Sequence, residues 1–345
     1  MSNTYLITGG AGFIGSNFVT YIYNRYPNSK IIVLDLLTYA GSVDNFPVKV
    51  NEINDRFEFW YGDVRNSSLV DRLVSKADYV IHFAAETHVT RSIFDSRNFF
   101  ETDVIGTQTI SNAVLENKSK IKKFIHISTS EVYGTAFNCE LMNEKHPLKP
   151  MSPYAAAKVG ADRLVYSYVQ TYDIPAVIVR PFNNYGPKQH LEKVIPRFIT
   201  SALLNEELTI HGKGKASRDW INVKDTCEGI DTILKANLNK IKGEVFNIGT
   251  GRTISIKEIA LEIVKSMNLD KSKIKYIEDR PGQVDCHIAD ISKIKNILNW
   301  YPKITFEEGL KDTIKWFSNN KHIWEKQIWL RQVPIYLKDG RKVIH

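Results

Sequence analysis

Cysteine is scarce: Cys139, Cys227 and Cys286 are the only three in 345 residues, widely spaced and odd in number. No pair has zinc-ligand spacing and the count suggests no disulfide framework, so a small cross-linked secreted scaffold is excluded and a reducing cytosol is expected. Long apolar runs are also missing. None approaches the ~20 residues needed to span a bilayer, and a strand pattern begins at the very N-terminus, which leaves no room for a signal peptide. Cytoplasmic residence without a membrane partner is therefore expected. There is no internal repeat or low-complexity tract. His82, His88 and His126 show no metal-ligand spacing, so no metal is expected either.

Positive charge is plentiful but dispersed. The formal net charge is +8, yet the lysines gather in no arm or stripe, which reads as a solvated surface and not as a nucleic-acid face. A modest positive field still suits a doubly charged diphosphate. An apolar fraction of 43% supports a sizeable core, and the length exceeds one typical domain, so two unequal lobes are expected.

The N-terminus carries the first chemical signal. Tyr5-Leu6-Ile7-Thr8 runs into Gly9-Gly10-Ala11-Gly12-Phe13-Ile14-Gly15, the order of strand, tight turn and helix that binds a pyrophosphate. Gly9 permits the turn, Gly12 lets backbone approach the phosphates, and Gly15 lets helix and strand pack closely. The second strand ends on Asp35, whose carboxylate can accept hydrogen bonds from an adenosine ribose and would repel a 2′-phosphate, so NAD is favoured over NADP. The second signal is Tyr154, four residues ahead of Lys158. On a helix that spacing puts both side chains on one face, and a cation beside a phenol favours the phenolate, a base suited to a hydroxyl proton. Ahead of it runs Ser128-Thr129-Ser130-Glu131-Val132-Tyr133-Gly134.

Strand-like runs recur at 5–8, 30–34, 57–61, 79–83, 123–128 and 176–180 with helical patterns between most of them, which argues a parallel sheet covered on both faces. The residues that end these runs are Gly9, Asp35, Asp63, Ala84-Ala85-Glu86, Thr129 and Pro181. All six segments meet at the carboxyl edge, where such sheets bind ligands. The fold expected is α/β, a Rossmann-type doubly wound parallel sheet with a smaller mixed α/β substrate-binding lobe. Residues 1–182 are assigned to the cofactor domain and 183–320 mainly to the lobe, with crossing back between the two allowed. Residues 321–345 form a C-terminal extension, with Trp324, Trp329 and a turn at Lys338-Asp339-Gly340-Arg341, for which the sequence suggests no role.

With these motifs in register the chain resembles the extended short-chain dehydrogenase/reductase family over nearly its whole length. Within it the chain is most similar to nucleotide-sugar 4,6-dehydratases of the dTDP-glucose type, through Asp35-Leu36-Leu37-Thr38-Tyr39-Ala40-Gly41, Ala84-Ala85-Glu86-Thr87-His88-Val89, Arg180-Pro181-Phe182-Asn183-Asn184-Tyr185-Gly186-Pro187, Glu192-Lys193-Val194-Ile195-Pro196 and Arg280-Pro281-Gly282. One position departs. Those enzymes carry Asp-Glu where this chain has Ser130-Glu131, and a serine is a far weaker acid than the aspartic acid that protonates the leaving hydroxyl. Ser-Glu does occur at that place in GDP-mannose 4,6-dehydratases, in the dehydratase that opens GDP-linked legionaminic acid synthesis and in UDP-glucuronate decarboxylases.

The resemblance implies roles. Tyr154 takes the 4-hydroxyl proton, Lys158 lowers the tyrosine's pKa and holds the nicotinamide ribose, and Thr129 orients the 4-oxygen. Glu131 removes the carbon 5 proton, and Glu131 or Ser130, through water, serves carbon 6. NAD is held by Gly9, Gly12, Phe13, Ile14, Gly15, Asp35, Thr38, Asp63, Val64, Ala84 and Ala85, with Tyr154 and Lys158 at its reactive end. Glu86, His88, Asn183, Lys193, Arg218 and Arg280 contact a nucleotide-diphosphate hexose. A homodimer is expected through helices over about Ser92–Leu115 and Tyr154–Tyr172. A 4-epimerase or UDP-glucuronate decarboxylase on the same scaffold, and an idle NAD-binding scaffold, remain the alternatives.

Overall fold

The computed structural model describes residues 3–50, 52, 54–278, 286–336 and 341–344. Seven strands form one parallel sheet: β1 (Thr4–Thr8), β2 (Lys30–Asp35), β3 (Phe57–Tyr61), β4 (Tyr79–His82), β5 (Lys123–Ile127), β6 (Ala176–Pro181) and, from much later in the chain, β10 (Val245–Ile248). Their order is β10-β6-β5-β4-β1-β2-β3, so the winding reverses between β1 and β4, where such sheets open a crevice. Strand pleating sorts the core into two layers. Ile7, Ile31, Val33 and Ile125 face α1 (Phe13–Arg25) and α8 (Val223–Lys235). Leu6, Ile32, Leu34 and Phe124 face α2 (Ser67–Val74), α5 (Gly106–Glu116) and α6 (Pro153–Tyr172).

Local signals explain the helix carrying Tyr154. Ser152 caps α6 by accepting from the Ala155 N–H at 3.1 Å, Pro153 occupies its first position, and Asp173 ends it in the left-handed conformation at φ 56°. The single helix expected over Ser92–Leu115 is broken. Its parts are α3 (Val89–Phe94), α4 (Arg97–Phe99), a π-helical turn at Phe100–Ile105 and then α5. Asp95 leaves the helical region at φ −141° and interrupts the run.

The smaller lobe is built on β7 (Asn183–Tyr185), β9 (Ser217–Asn222), β11 (Thr253–Ser255) and β13 (Cys286–His287), with β9 pairing all three others. Beside it β8 (Leu208–His211) pairs with β12 (Ile274–Ile277). The lobe core joins Phe198 of α7 (Val194–Leu203), Ile259 and Ile263 of α10 (Ile256–Ser266), and Leu310 and Phe317 of α12 (Phe306–Asn319). Short helices α9 (Leu238–Ile241), α11 (Ser292–Leu298) and α13 (Lys321–Trp324) connect these parts. The C-terminal extension docks on the lobe. Trp324 is buried with its indole N–H donating to the Phe317 carbonyl, and Arg331 reaches Ser201 and Glu206. A hairpin of β14 (Pro334–Tyr336) and β15 (Lys342–Ile344) follows, while Lys338, Asp339 and Gly340 lie outside the described residues.

Two features of the fold rest on contacts far apart in the chain. α8 and β10 both follow residue 183 yet complete the first sheet and its cover, held there by Lys123 of β5, whose ammonium donates to the Ile233, Leu234 and Ala236 carbonyls at the end of α8. The cysteine reading is corrected: Cys139 and Cys286 form a disulfide with Cα atoms 5.4 Å apart, bridging 147 residues. Sequence spacing could not reveal it, because the pairing depends on where β13 returns. Cys227 is free and buried.

Candidate active site

The glycine turn leaves little choice of residue. Gly9 sits at φ 68°, where a methyl group would strike the Ala84 backbone, and one on Gly15 would overlap the Gly9 carbonyl oxygen. Gly12 caps α1 with no side chain on the first-turn N–H groups and no acid in that turn. Free donors at a helix start, over a backbone that can be approached closely, fit a pyrophosphate. Phe13 and Ile14 open α1, half-buried. The Asp35 carboxylate accepts from the Ala11 N–H at 2.9 Å and the Leu37 N–H at 2.8 Å, so the acid ending β2 is fixed beside the turn. Burial raises its pKa and these two bonds oppose the rise.

The remaining expected cofactor residues stand along the same edge. Thr38 is exposed, with its carbonyl accepting from Gly41. Asp63, after β3, is tied to Arg65 at 2.7 Å, and Arg65 continues to Glu101 at 2.8 Å. Val64 packs on the helix start at Gly106. Ala84 and Ala85 leave β4 beside Thr8 and Gly9. The Glu86 N–H donates to Asp103 at 2.8 Å. Asp103 is a buried acid on the π-helical turn; among the described residues its other oxygen has no hydrogen-bond partner, and burial raises its pKa against the pull of Lys158.

Thr129 follows β5 and caps the 3₁₀ turn Ser130–Tyr133 by accepting from the Glu131 N–H at 3.2 Å. Ser130 is buried; Glu131 keeps partial exposure. Tyr154 and Lys158 share the buried face of α6, as their spacing requires. Burial raises the Tyr154 pKa, the Asp103 charge adds to the rise, and the Thr129 hydrogen bond opposes it. Lys158 donates to the Ile127 carbonyl at 2.8 Å, and burial lowers its own pKa while Asp103 and Asp162 push it back up. Lys158 is not among the groups that shift Tyr154 here, and the expected lowering of the phenol by that cation belongs to the proposed function.

The expected substrate residues fall into two groups. His88 caps α3, accepting from the Arg91 N–H at 3.3 Å, and its Nε2 lies 3.7 Å from Glu192. Glu192 is a buried carboxylate that meets Tyr39 at 3.1 Å, Arg91 at 3.2 Å and His190 at 3.5 Å. Burial alone would raise its pKa, but the His190 bond and the Lys193 and His88 charges hold it well below the usual carboxylate range. Lys193 caps α7 and donates to the Thr87 carbonyl at 3.2 Å. Asn183 opens β7 beside Trp220, and Arg218 on β9 stands opposite His287 of β13. Arg280 lies outside the described residues. Sequence reading did not single out Asp103, Glu192, His190 and His287, which the fold brings beside the expected residues through contacts such as Asp103 to Glu86, Glu192 to Arg91 and His287 to Glu131. Among the described residues no cluster of three or more His, Cys, Asp or Glu side chains could hold a metal ion.

Residues 6–313 match the family model described as GDP-mannose 4,6 dehydratase. The chain belongs to that family. It is an extended short-chain dehydrogenase/reductase of the nucleotide-sugar 4,6-dehydratase kind. A Haloferax volcanii relative, the low-salt glycan biosynthesis protein Agl12, is 43% identical over 312 residues, covering 90% of this chain and 97% of that protein. The solved dTDP-glucose 4,6-dehydratase DesIV of Streptomyces venezuelae, with NAD bound, superposes with a TM-score of 0.87 at 38% identity, covering 94% of this chain and 99% of that one. A UDP-glucose 4-epimerase of Thermotoga maritima gives 0.84 at 30% identity, covering 92% and 99%.

Proposed function

We propose that the protein converts a nucleotide-diphosphate hexose, of the dTDP- or UDP-glucose type, to the 4-keto-6-deoxyhexose. The observation that carries this is the convergence of Thr129, Glu131, Tyr154 and Lys158 on one sheet edge beside the glycine turn, in a chain of the 4,6-dehydratase family. NAD, when bound, accepts a hydride from sugar carbon 4 and returns it at carbon 6. Gly9, Gly12 and Gly15 would hold its pyrophosphate, Asp35 its adenosine ribose, and Lys158 its nicotinamide ribose.

Tyr154 takes the proton of the 4-hydroxyl, with Thr129 orienting that oxygen. Oxidation at carbon 4 acidifies carbon 5, and Glu131 removes that proton, general-base help worth about 10²–10⁴-fold. Ser130 relays a proton through water but cannot replace a carboxylic acid. Lys193, Arg218 and Arg280 grip the diphosphate, for which guanidinium geometry is well matched, and Asn183, Glu86 and His88 contact the sugar side. A pyrimidine nucleotide is favoured, because guanine-selective relatives differ across Leu191–Pro196. Exposed Ile93, Phe100, Ile105 and Tyr166 on the helices around α5 and α6 support a homodimer, which sedimentation as a monomer at micromolar concentration would remove. Cytoplasmic residence is proposed because relatives of this family act on nucleotide sugars; the Cys139–Cys286 disulfide is a feature that runs against a reducing cytosol.

Mass spectrometry after incubation with UDP- and dTDP-hexoses tests the reaction. A product lighter by one water supports it. An isomeric product with an inverted 4-hydroxyl makes the protein an epimerase, and loss of carbon dioxide from a UDP-uronate makes it a decarboxylase. Glu131→Gln should keep hydride transfer while water loss falls by about 10²-fold or more.

A further inference from the structure

Glu131 has a buried companion from the other lobe. The Nδ1 of His287 lies 3.8 Å from Glu131 Oε1, and the histidine side chain is fully buried. Its Nε2 is paired with the Gly134 carbonyl oxygen, which can only accept, so Nε2 carries a proton. In the neutral ring Nδ1 is then a lone pair, and among the described residues it has no hydrogen-bond partner. A lone pair facing a carboxylate is attractive only with a proton between them. Ser130 cannot supply the carboxylic acid that the Asp-Glu enzymes use, so the proton for the departing hydroxyl has to come back through Glu131.

We propose that His287 is the proton store of Glu131: a positioning residue that holds on Nδ1 the proton taken from carbon 5 until Glu131 returns it to the hydroxyl leaving carbon 6. This rests on the dehydratase reading above. The carbon 5–hydrogen bond breaks, its proton passes from Glu131 to Nδ1, and its electron pair forms the carbon 5–carbon 6 double bond. The carbon 6–oxygen bond breaks, the hydroxyl leaves with its pair, and the stored proton completes a water molecule. The Glu131–His287 pair ends as it began.

The fold fixes the histidine firmly. The Cys139–Cys286 disulfide and the bond from the Ala136 N–H to the Cys286 carbonyl clamp β13 to the segment following Gly134. Among the described residues, the charged or titratable groups facing His287 are Glu131, Arg218 on β9 and His146; the Phe182 ring stands 6.3 Å away. Burial, Arg218 and His146 favour the neutral ring, which leaves Nδ1 ready to receive, while the Glu131 charge stabilises the protonated form.

The test compares wild type, His287→Gln and His287→Phe, using appearance of reduced nicotinamide for carbon 4 oxidation and product mass for water loss. For His287→Gln the expected result is unchanged oxidation, KM within about twofold and kcat for water loss down about 10²-fold, with one ionisation missing from the pH profile. His287→Phe should lose at least as much. Wild-type water loss and pH profile in His287→Gln, or equal losses in oxidation and elimination, overturn the store. Nitrogen NMR of folded Glu131→Gln gives a check that needs no His287 variant: the His287 titration should move to lower pH, and an unmoved titration overturns the proposal. If wild type yields only a 4-epimer, the dehydratase reading falls with it, whereas a dehydrating wild type beside an unaffected His287→Gln removes the store alone.

Discussion

Gly12 and Gly15 sit one helical turn apart in the same motif, yet they answer to different constraints. A methyl group on Gly15 would overlap the Gly9 carbonyl oxygen, whereas one on Gly12 would meet only that oxygen, at 3.4 Å. Gly15→Ala should therefore cost about 1–3 kcal/mol of stability by overpacking, read as a lower urea midpoint. Gly12→Ala should fold normally and instead bind NAD more weakly, as seen by calorimetric titration, because the added methyl stands where backbone meets the pyrophosphate. Equal stability losses in both variants would contradict this division. Residues of this kind were legible because their signal is local: a turn, a spacing, a strand end. His287 was not. The Arg280-Pro281-Gly282 block lies close ahead of it but does not single it out, and its meaning appears only when β13 returns beside Glu131. Lys158 shows a second limit, since spacing predicted its place on the Tyr154 face but not the Ile127 carbonyl that its ammonium meets.

At the level of elements, the six early strands were readable from apolar runs punctuated by acids and glycines, and the structure keeps them to within a residue or so. The seventh, β10, was not, because a four-residue run becomes a sheet strand only through the partner it finds. Lys123 helps to make that return possible. A helix leaves its last carbonyls unpaired, and here one buried ammonium takes three of them, on the favourable end of the helix dipole. Burial pushes the lysine down to about 8, so it remains charged at neutral pH. Lys123→Met keeps the stem and removes the bonds, and should cost about 2–4 kcal/mol in urea unfolding. NAD binding should be unchanged, because Lys123 begins β5 and the ligand edge lies at the strand's other end. A loss below about 0.5 kcal/mol would mean that water replaces the cap without penalty.

The whole molecule should be sensitive to acid through two histidines outside the proposed chemistry. His82 is held between the Thr8 and Thr107 hydroxyls at 2.7 and 3.0 Å, and burial pushes it down to about 3. His126 is fully buried, among the described residues neither ring nitrogen has a hydrogen-bond partner, and burial likewise holds it well below its usual value. The unfolded chain binds protons on both below about pH 6.5 while the folded chain refuses them. Their contribution is complete above that pH and is lost on acidification, at about 1.4 kcal/mol per pH unit for each histidine. Urea midpoints taken from about pH 7.5 down to about pH 5 should fall accordingly, and His126→Phe should flatten the slope by one proton. An identical slope in that variant would show that His126 is not neutral in the folded state.

The return of α8 and β10 to the first sheet makes the two lobes one stitched fabric. A cut after residue 182 would strip α8 from its face of the sheet and leave β6 as a bare edge, open to pairing with other chains. The later half is thus no cassette. A chain built this way cannot acquire a new sugar preference by trading its C-terminal half with a relative, because that half also carries a strand and a covering helix fitted to its own cofactor domain. Diversification has to proceed by single substitutions at the proposed substrate positions, such as Lys193 at the start of α7 and Arg218 on β9, with the seam left intact.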